Sequence, residues 1–158
     1  MQLALVLHNI RSVYNVGSMF RTADAAGVGE IILSGYTPTP LDRFGRARSD
    51  LAKVALGAEK YLKWKYVKTL SPELKKLKGE GYELIALEQA KGSRSIFGFT
   101  PTGKKLVLIV GNEVRGMSKA LLKNVDTVLE IPMHGKKESL NVSVAAGVAL
   151  FALANTQG

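Results

Sequence analysis

Five short apolar runs recur along the chain: LALVLH at 3–8, EIILS at 30–34, YELIAL at 82–87, KLVLIV at 105–110 and TVLEI at 127–131. Each is too short for a buried helix and is bounded by turn residues, so each reads as a strand covered on both faces, as strands of a parallel sheet are. YLKWKYV at 61–67 alternates in part and is a further strand candidate. Between the runs, helical spacing covers 17–26, 47–56, 72–79, 117–123 and 141–154. The third of these is announced by Ser71 as N-cap, Pro72 at the first helical position and Glu73 in the first turn. The alternation of strand and helix, without a repeat or a low-complexity tract, predicts one α/β domain over 1–158: an open, mostly parallel sheet with helices on both faces.

Composition narrows the function classes. A chain of 158 residues with 46% hydrophobic residues can fill one core. Its 22 Lys plus Arg against 13 Asp plus Glu give a net charge of +9, which favours a polyanion such as nucleic acid without separating RNA from DNA or an acidic membrane. No apolar run approaches the roughly 18 residues of a membrane span, and MQLALVLHNI is too short and too lightly charged for a signal sequence. A soluble, cytoplasmic protein with no membrane partner is expected. The absence of cysteine removes disulfides, thiolate nucleophiles and Cys-based zinc sites. His8 and His134 alone do not make a metal site, and no metal is expected.

Three strand-to-helix loops carry the candidate chemistry, since polar loops at strand ends are where open α/β sheets bind ligands. In the first, a helix starting near Val16 or Gly17 offers free N–H groups to an anion such as an RNA phosphate. Asn15 suits its N-cap, and Arg21, four residues after Gly17, projects toward the same loop beside Thr22. In the second loop, Gly111 allows a ligand close to the backbone, while Asn112 and Glu113 offer amide and carboxylate groups. The third leaves a strand at Ile131 and Pro132, passes Met133, His134 and Gly135, and enters a helix capped by Ser139 or Asn141. His134 is a candidate base on its near-neutral pKa alone, against its more common role as a surface residue. In the long loop after the second strand, Arg43, Arg46 and Arg48 surround Phe44, a set able to hold phosphates and stack a splayed base or simply to be a solvated basic loop.

Taken together, NIRSVYNVGSMFRTADAAG (9–27), LGAEKYLKW (56–64), IVGNEVRGM (109–117) and IPMHGKKESLNVSVAAGVALFAL (131–153) resemble, in order, the motifs of the SpoU/TrmH-type branch of the SPOUT RNA methyltransferases. The resemblance implies S-adenosylmethionine as cofactor, methyl transfer to a ribose 2′-hydroxyl of RNA, a C-terminal trefoil knot and a homodimer with its sites near the interface. It assigns the cofactor to the backbone at Gly111, Ile131 and Leu140, with Asn112, Met133, Leu87, Glu88 and Gln89 around it. It places Asn15, Arg21, Glu113, Ser139 and Asn141 in the catalytic set and Arg11 with the RNA-binding residues. An arginine stays protonated at any ordinary pH, so Arg21 is expected to hold a phosphate and stabilise the developing alkoxide while phosphate or water takes the proton. Val142, Ala145, Ala146, Ala149 and Leu153 can share a helix face suited to the dimer. The absence of an appended RNA-binding domain favours a compact substrate, tRNA over rRNA. Two rival classes are a non-catalytic RNA-binding protein keeping the fold and a dinucleotide-dependent oxidoreductase, which lacks a GxGxxG turn after the first strand.

Overall fold

The structure, a computed structural model, describes residues 1–156. Seven parallel strands form one sheet in the order β3-β2-β1-β6-β4-β7-β5, with β1 Gln2–His8, β2 Glu30–Ser34, β3 Lys63–Val67, β4 Glu83–Leu87, β5 Arg94–Ser95, β6 Lys105–Val110 and β7 Thr127–Glu130. The five continuous apolar runs are thus strands, all five inside the sheet, and 61–67 contributes the edge strand β3. The two-residue β5 carries no periodicity that a sequence could display, and it stands only by pairing Arg94 and Ser95 with Leu129 and Glu130 of β7.

Alternate residues of each strand enter two cores. Leu5 and Leu7 of β1, Ile31 and Leu33 of β2 and Leu108 of β6 face helices α1 (Val13–Ala25), α2 (Ser49–Ala55), α3 (Ala58–Tyr61) and α6 (Val142–Ala154). Val6, Ile32 and Ile109 face α4 (Leu70–Gly79) and α5 (Lys119–Lys123) on the other side. Helices on both faces of a parallel sheet are what the sequence pattern predicts. Each fully buried Leu or Ile contributes about 1.5–3 kcal/mol, so the sheet is a stiff platform for the loops at its strand ends.

Helix starts differ from the sequence expectation. Ser12, not Asn15, caps α1, its side chain accepting from the Asn15 amide, so the helix begins one turn earlier. Gly17 is therefore not an anion seat: a Cβ there would lie 2.8 Å from the Leu51 carbonyl and 3.0 Å from Val54 Cβ, and the glycine exists to let α1 and α2 approach. Thr69 occupies the cap position of α4, and Ser71 and Pro72 sit inside its first turn, where the missing Pro N–H still has no partner to lose. The apolar stripe on α6 also needs correction. Ala146, Ala149, Leu150 and Leu153 are buried in the chain's own core, and the outer face is instead Val144, Val148 and Phe151, with Val144 52% and Phe151 45% exposed. A helix apolar all round offers no periodicity from which to tell the two faces apart.

Candidate active site

Because all seven strands run the same way, their C-terminal ends deliver the polar loops to one edge of the sheet. There the ends of β4, β6 and β7 and the approach to α6 enclose a cleft of about 140 Å³. Leu87, Val110, Ile131, Leu140 and Val142 supply apolar walls, and Glu88, Gln89, Glu113, Glu130 and Ser139 supply polar groups. Gly111, Asn112 and Met133 also line it. The structure thus gathers every residue that the sequence assigned to the cofactor into one cleft, together with Glu113 and Ser139. Val110, Glu130, Val142 and Ala145 complete the lining. Val110 and Glu130, at strand ends, carry no loop signature, and Val142 and Ala145, expected on the dimer face of the last helix, line the cleft instead.

The hydrogen bonds redistribute several roles. Asn112 is buried, and its side chain is fully engaged: Oδ1 accepts from the amides of Val114 and Arg115 at 2.9 and 2.7 Å, and Nδ2 donates to the Asn9 carbonyl and the Tyr36 hydroxyl at 3.1 and 2.8 Å. It shapes the loop rather than offering its amide to a ligand. Gly111 likewise serves the loop, since a Cβ would meet Met117 Cγ at 2.6 Å and the Gly116 backbone at 3.3 Å, not the cleft. Glu88 ties this loop to β4, accepting from the Met117 amide at 2.9 Å and from the Gln89 amide at 3.1 Å. Gly116, at φ +65°, leaves the space in which that carboxylate sits. The supporting residues Asn9 and Tyr36 were invisible in the sequence because their partners lie 27 or more positions away.

Glu113 joins the second loop to the first. Its two oxygens accept from the amides of Arg11 and Ser12, each at 3.1 Å, and from Asn15 Nδ2 at 3.4 Å. Those amides precede the first turn of α1, where donors lack helical partners. Burial pushes the Glu113 carboxyl up, but the amide hydrogen bonds and the Asn15 contact together outweigh it and hold the group below its ordinary value. Asn15 is buried inside α1 and turned toward this carboxylate. Asn141 caps α6, accepting from the Ser143 amide at 2.9 Å and the Ser143 hydroxyl at 2.6 Å. Ser139 is exposed at the cleft mouth.

Arg21 is exposed on α1 and does not line the cleft; six residues beyond Asn15, it is about 9 Å further along the helix. Its neighbour Thr22 faces α6, where a Cβ on Gly147 would come within 3.3 Å of the Thr22 methyl carbon. Arg11 is exposed beside Glu113, and His134 is exposed outside the lining. In the basic loop, Arg43 and Arg46 lie 4.8 and 4.9 Å from the centre of the Phe44 ring. Arg46 is paired with Asp42 at 3.0 Å and Arg48 with Asp50 at 2.9 Å. Arg43 has no carboxylate partner among the described residues. No group of three potential metal ligands and no helix able to cross a membrane occurs among the described residues.

A parallel α/β sheet with a cleft walled by its strand-end loops defines a class that family comparison makes specific: residues 2–151 match the SpoU rRNA Methylase family, and the chain belongs to it. Among curated relatives, the 23S rRNA (guanosine-2′-O-)-methyltransferase RlmB of Pseudomonas putida is 35% identical over 149 residues, covering 94% of this chain and 57% of the relative. The chain thus spans little more than half the length of such relatives. Among solved structures, an AdoMet-bound rRNA methyltransferase from Sinorhizobium meliloti superposes with a TM-score of 0.84 at 26% identity, over 96% of this chain and 55% of the other. A TrmH/SpoU tRNA modifying enzyme from A. aeolicus gives 0.83 at 27% identity, over 98% and 75%. This shared fold implies the C-terminal trefoil knot expected from the sequence resemblance.

Proposed function

We propose that the chain is an S-adenosylmethionine-dependent methyltransferase acting on a ribose 2′-hydroxyl of RNA. The observation that carries this reading is the cleft itself, where Gly111 of the second loop meets Ile131 and Leu140 of the third. The bound cofactor would supply an electrophilic sulfonium methyl. The chain's residues fit such a ligand: Leu87, Val110, Ile131 and Leu140 can enclose an aromatic ring, and the strand-end backbone can read its edge. The irregular segment 132–141 supplies Met133, Ser139 and Leu140 to this cleft.

Glu113 and Asn15 fix the start of α1 against the cleft, Ser139 stands at its mouth, Asn141 caps α6 behind it, and Arg21 clamps the phosphate beside the target ribose. Because Arg21 stands off the cleft of its own chain, a homodimer packed through Val144, Val148 and Phe151 gives it a route to the partner copy's cleft. Such a protein would work in the cytoplasm without metal. The lean toward tRNA drawn from chain size runs against the RlmB relatives, which are 23S rRNA methyltransferases, and rRNA is the substrate class we favour. The test is to incubate the purified protein with labelled S-adenosylmethionine, a chelator, and rRNA or tRNA, then digest and locate the label. Label on a ribose 2′-oxygen of rRNA is expected; label on a base, or none with either RNA, would overturn the reading.

A further inference from the structure

A second cleft, sharing no lining residue with the first, lies where α2 and α3 meet β3 and the loop after β2. It measures about 710 Å³ and is walled mainly by apolar groups, among them Pro40, Leu41, Ala52, Leu56 and Trp64. Glu59 also lines it, and its Oε2 is buried with no hydrogen-bond partner among the described residues. A carboxylate oxygen stripped of water and left unpaired is costly, and the group that relieves it must bring an N–H or O–H donor. The backbone feeding Glu59 is itself unusual. Leu56 and Gly57 both take left-handed conformations, φ 54° and 90°: Leu56 caps the C-terminus of α2, its amide donating to the Ala52 carbonyl, and Gly57 turns the chain into α3.

The rim is basic and preorganised. Leu41 and Ala47 bridge to close a short hairpin, and Asp42 Oδ1 accepts from the amides of Phe44 and Arg46 at 2.8 and 2.9 Å. This fixes a tip in which Arg43 and Arg46 flank the exposed Phe44, and Lys60 adds a cation to the cleft. Cations outside, an aromatic wall inside and an unpaired acceptor within suit a single-stranded nucleotide: phosphate on the rim, base on Trp64. Guanine presents two adjacent donors, N1–H and N2–H, to one carboxylate. Adenine and cytosine set a ring acceptor beside the amino group, and uracil flanks its N–H with carbonyls, so each of those bases turns a lone pair toward the carboxylate. We propose that this cleft is a guanine-selective subsite for a single-stranded stretch of the RNA substrate, with Glu59 reading the base and Arg43 and Arg46 holding adjacent phosphates. The proposal rests on the RNA reading above but not on methyl transfer.

Trp64 is the only tryptophan in the chain, so its fluorescence reports this cleft directly. The experiment titrates the full chain, without cofactor, with five-nucleotide RNAs carrying a central guanine, adenine or inosine between cytosines. Saturable quenching is expected, at least tenfold tighter for guanine than for adenine, with inosine, which lacks the N2 donor, between them. Glu59→Gln should remove the guanine preference while leaving adenine binding unchanged. Arg43→Ala should weaken all three RNAs alike and reduce their salt dependence. Equal affinity for guanine, inosine and adenine in the wild type would overturn the proposal whether or not the variant folds. A preference that survives Glu59→Gln would overturn it too, as would quenching that follows protein concentration without RNA, which would give the cleft to a second copy. Failure of methyl transfer would leave every one of these readouts in place.

Discussion

Replacing Glu113 by Gln tests the junction between the first two site loops. The carboxylate accepts from two amides at 3.1 Å and one side-chain amide at 3.4 Å. A buried hydrogen bond to a charged group contributes about 1.5–3 kcal/mol, and exposure of Glu113 discounts this to roughly 1 kcal/mol. Glutamine keeps one acceptor but turns an NH2 toward the other amide, so it loses one bond and the charge. The expected loss at pH 7 is about 1 kcal/mol, or roughly 2–4 °C in Tm for a domain of this size. The native-state pKa of Glu113 lies below its ordinary value, so its contribution is full above the ordinary carboxylate pKa and disappears as pH falls through the lowered one. Glutamine does not titrate there. Urea denaturation of both proteins from pH 7 down to about pH 3.5 should therefore show a stability gap that closes on acidification. A gap of the same size at both ends, or none at pH 7, would refute the account of Glu113 as the clamp on α1.

Gly17→Ala should destabilise the fold without changing cofactor affinity: overpacking against Leu51 and Val54 costs about 1–3 kcal/mol and the better helix former returns about 1, so a variant more stable than wild type in urea would contradict the close helix approach. Phe151→Arg should convert a dimer to a monomer in light scattering while the chain stays folded, and a wild-type protein that is monomeric at micromolar concentration contradicts the assigned face. Arg21→Ala should lower single-turnover methyl transfer by roughly a hundredfold at unchanged cofactor affinity, with Arg21→Lys restoring only part; a wild-type rate in Arg21→Ala would remove its role.

The sheet was legible because strands covered on both faces write themselves as continuous apolar runs, and β1, β2, β4, β6 and β7 do so. What the chain does not write is partner choice across distance. Asn112 is read as a ligand group from its loop, yet its bonds go to Asn9, Tyr36 and its own turn. The α1 start was misplaced because Ser12 and Asn15 are both good caps, and only the tertiary grip of Glu113 on the Arg11 and Ser12 amides decides between them. The cleft residues were legible through the resemblance of three loops, whereas the second cleft was not, because Glu59 shows its missing partner only once α3 has folded against β3.

The two borders of the sheet bear on how this protein survives at high concentration. An open parallel sheet ends in unpaired backbone donors and acceptors, which invite another chain to add a strand. Here one border is β5, only two residues long, and the other is β3, whose Lys63 and Lys65 are engaged with Glu30 and Glu73. A short border and a charged one both resist strand addition. Self-association is thereby steered away from sheet extension, which has no natural stopping point, and left to helical surfaces, where a twofold pairing closes on itself.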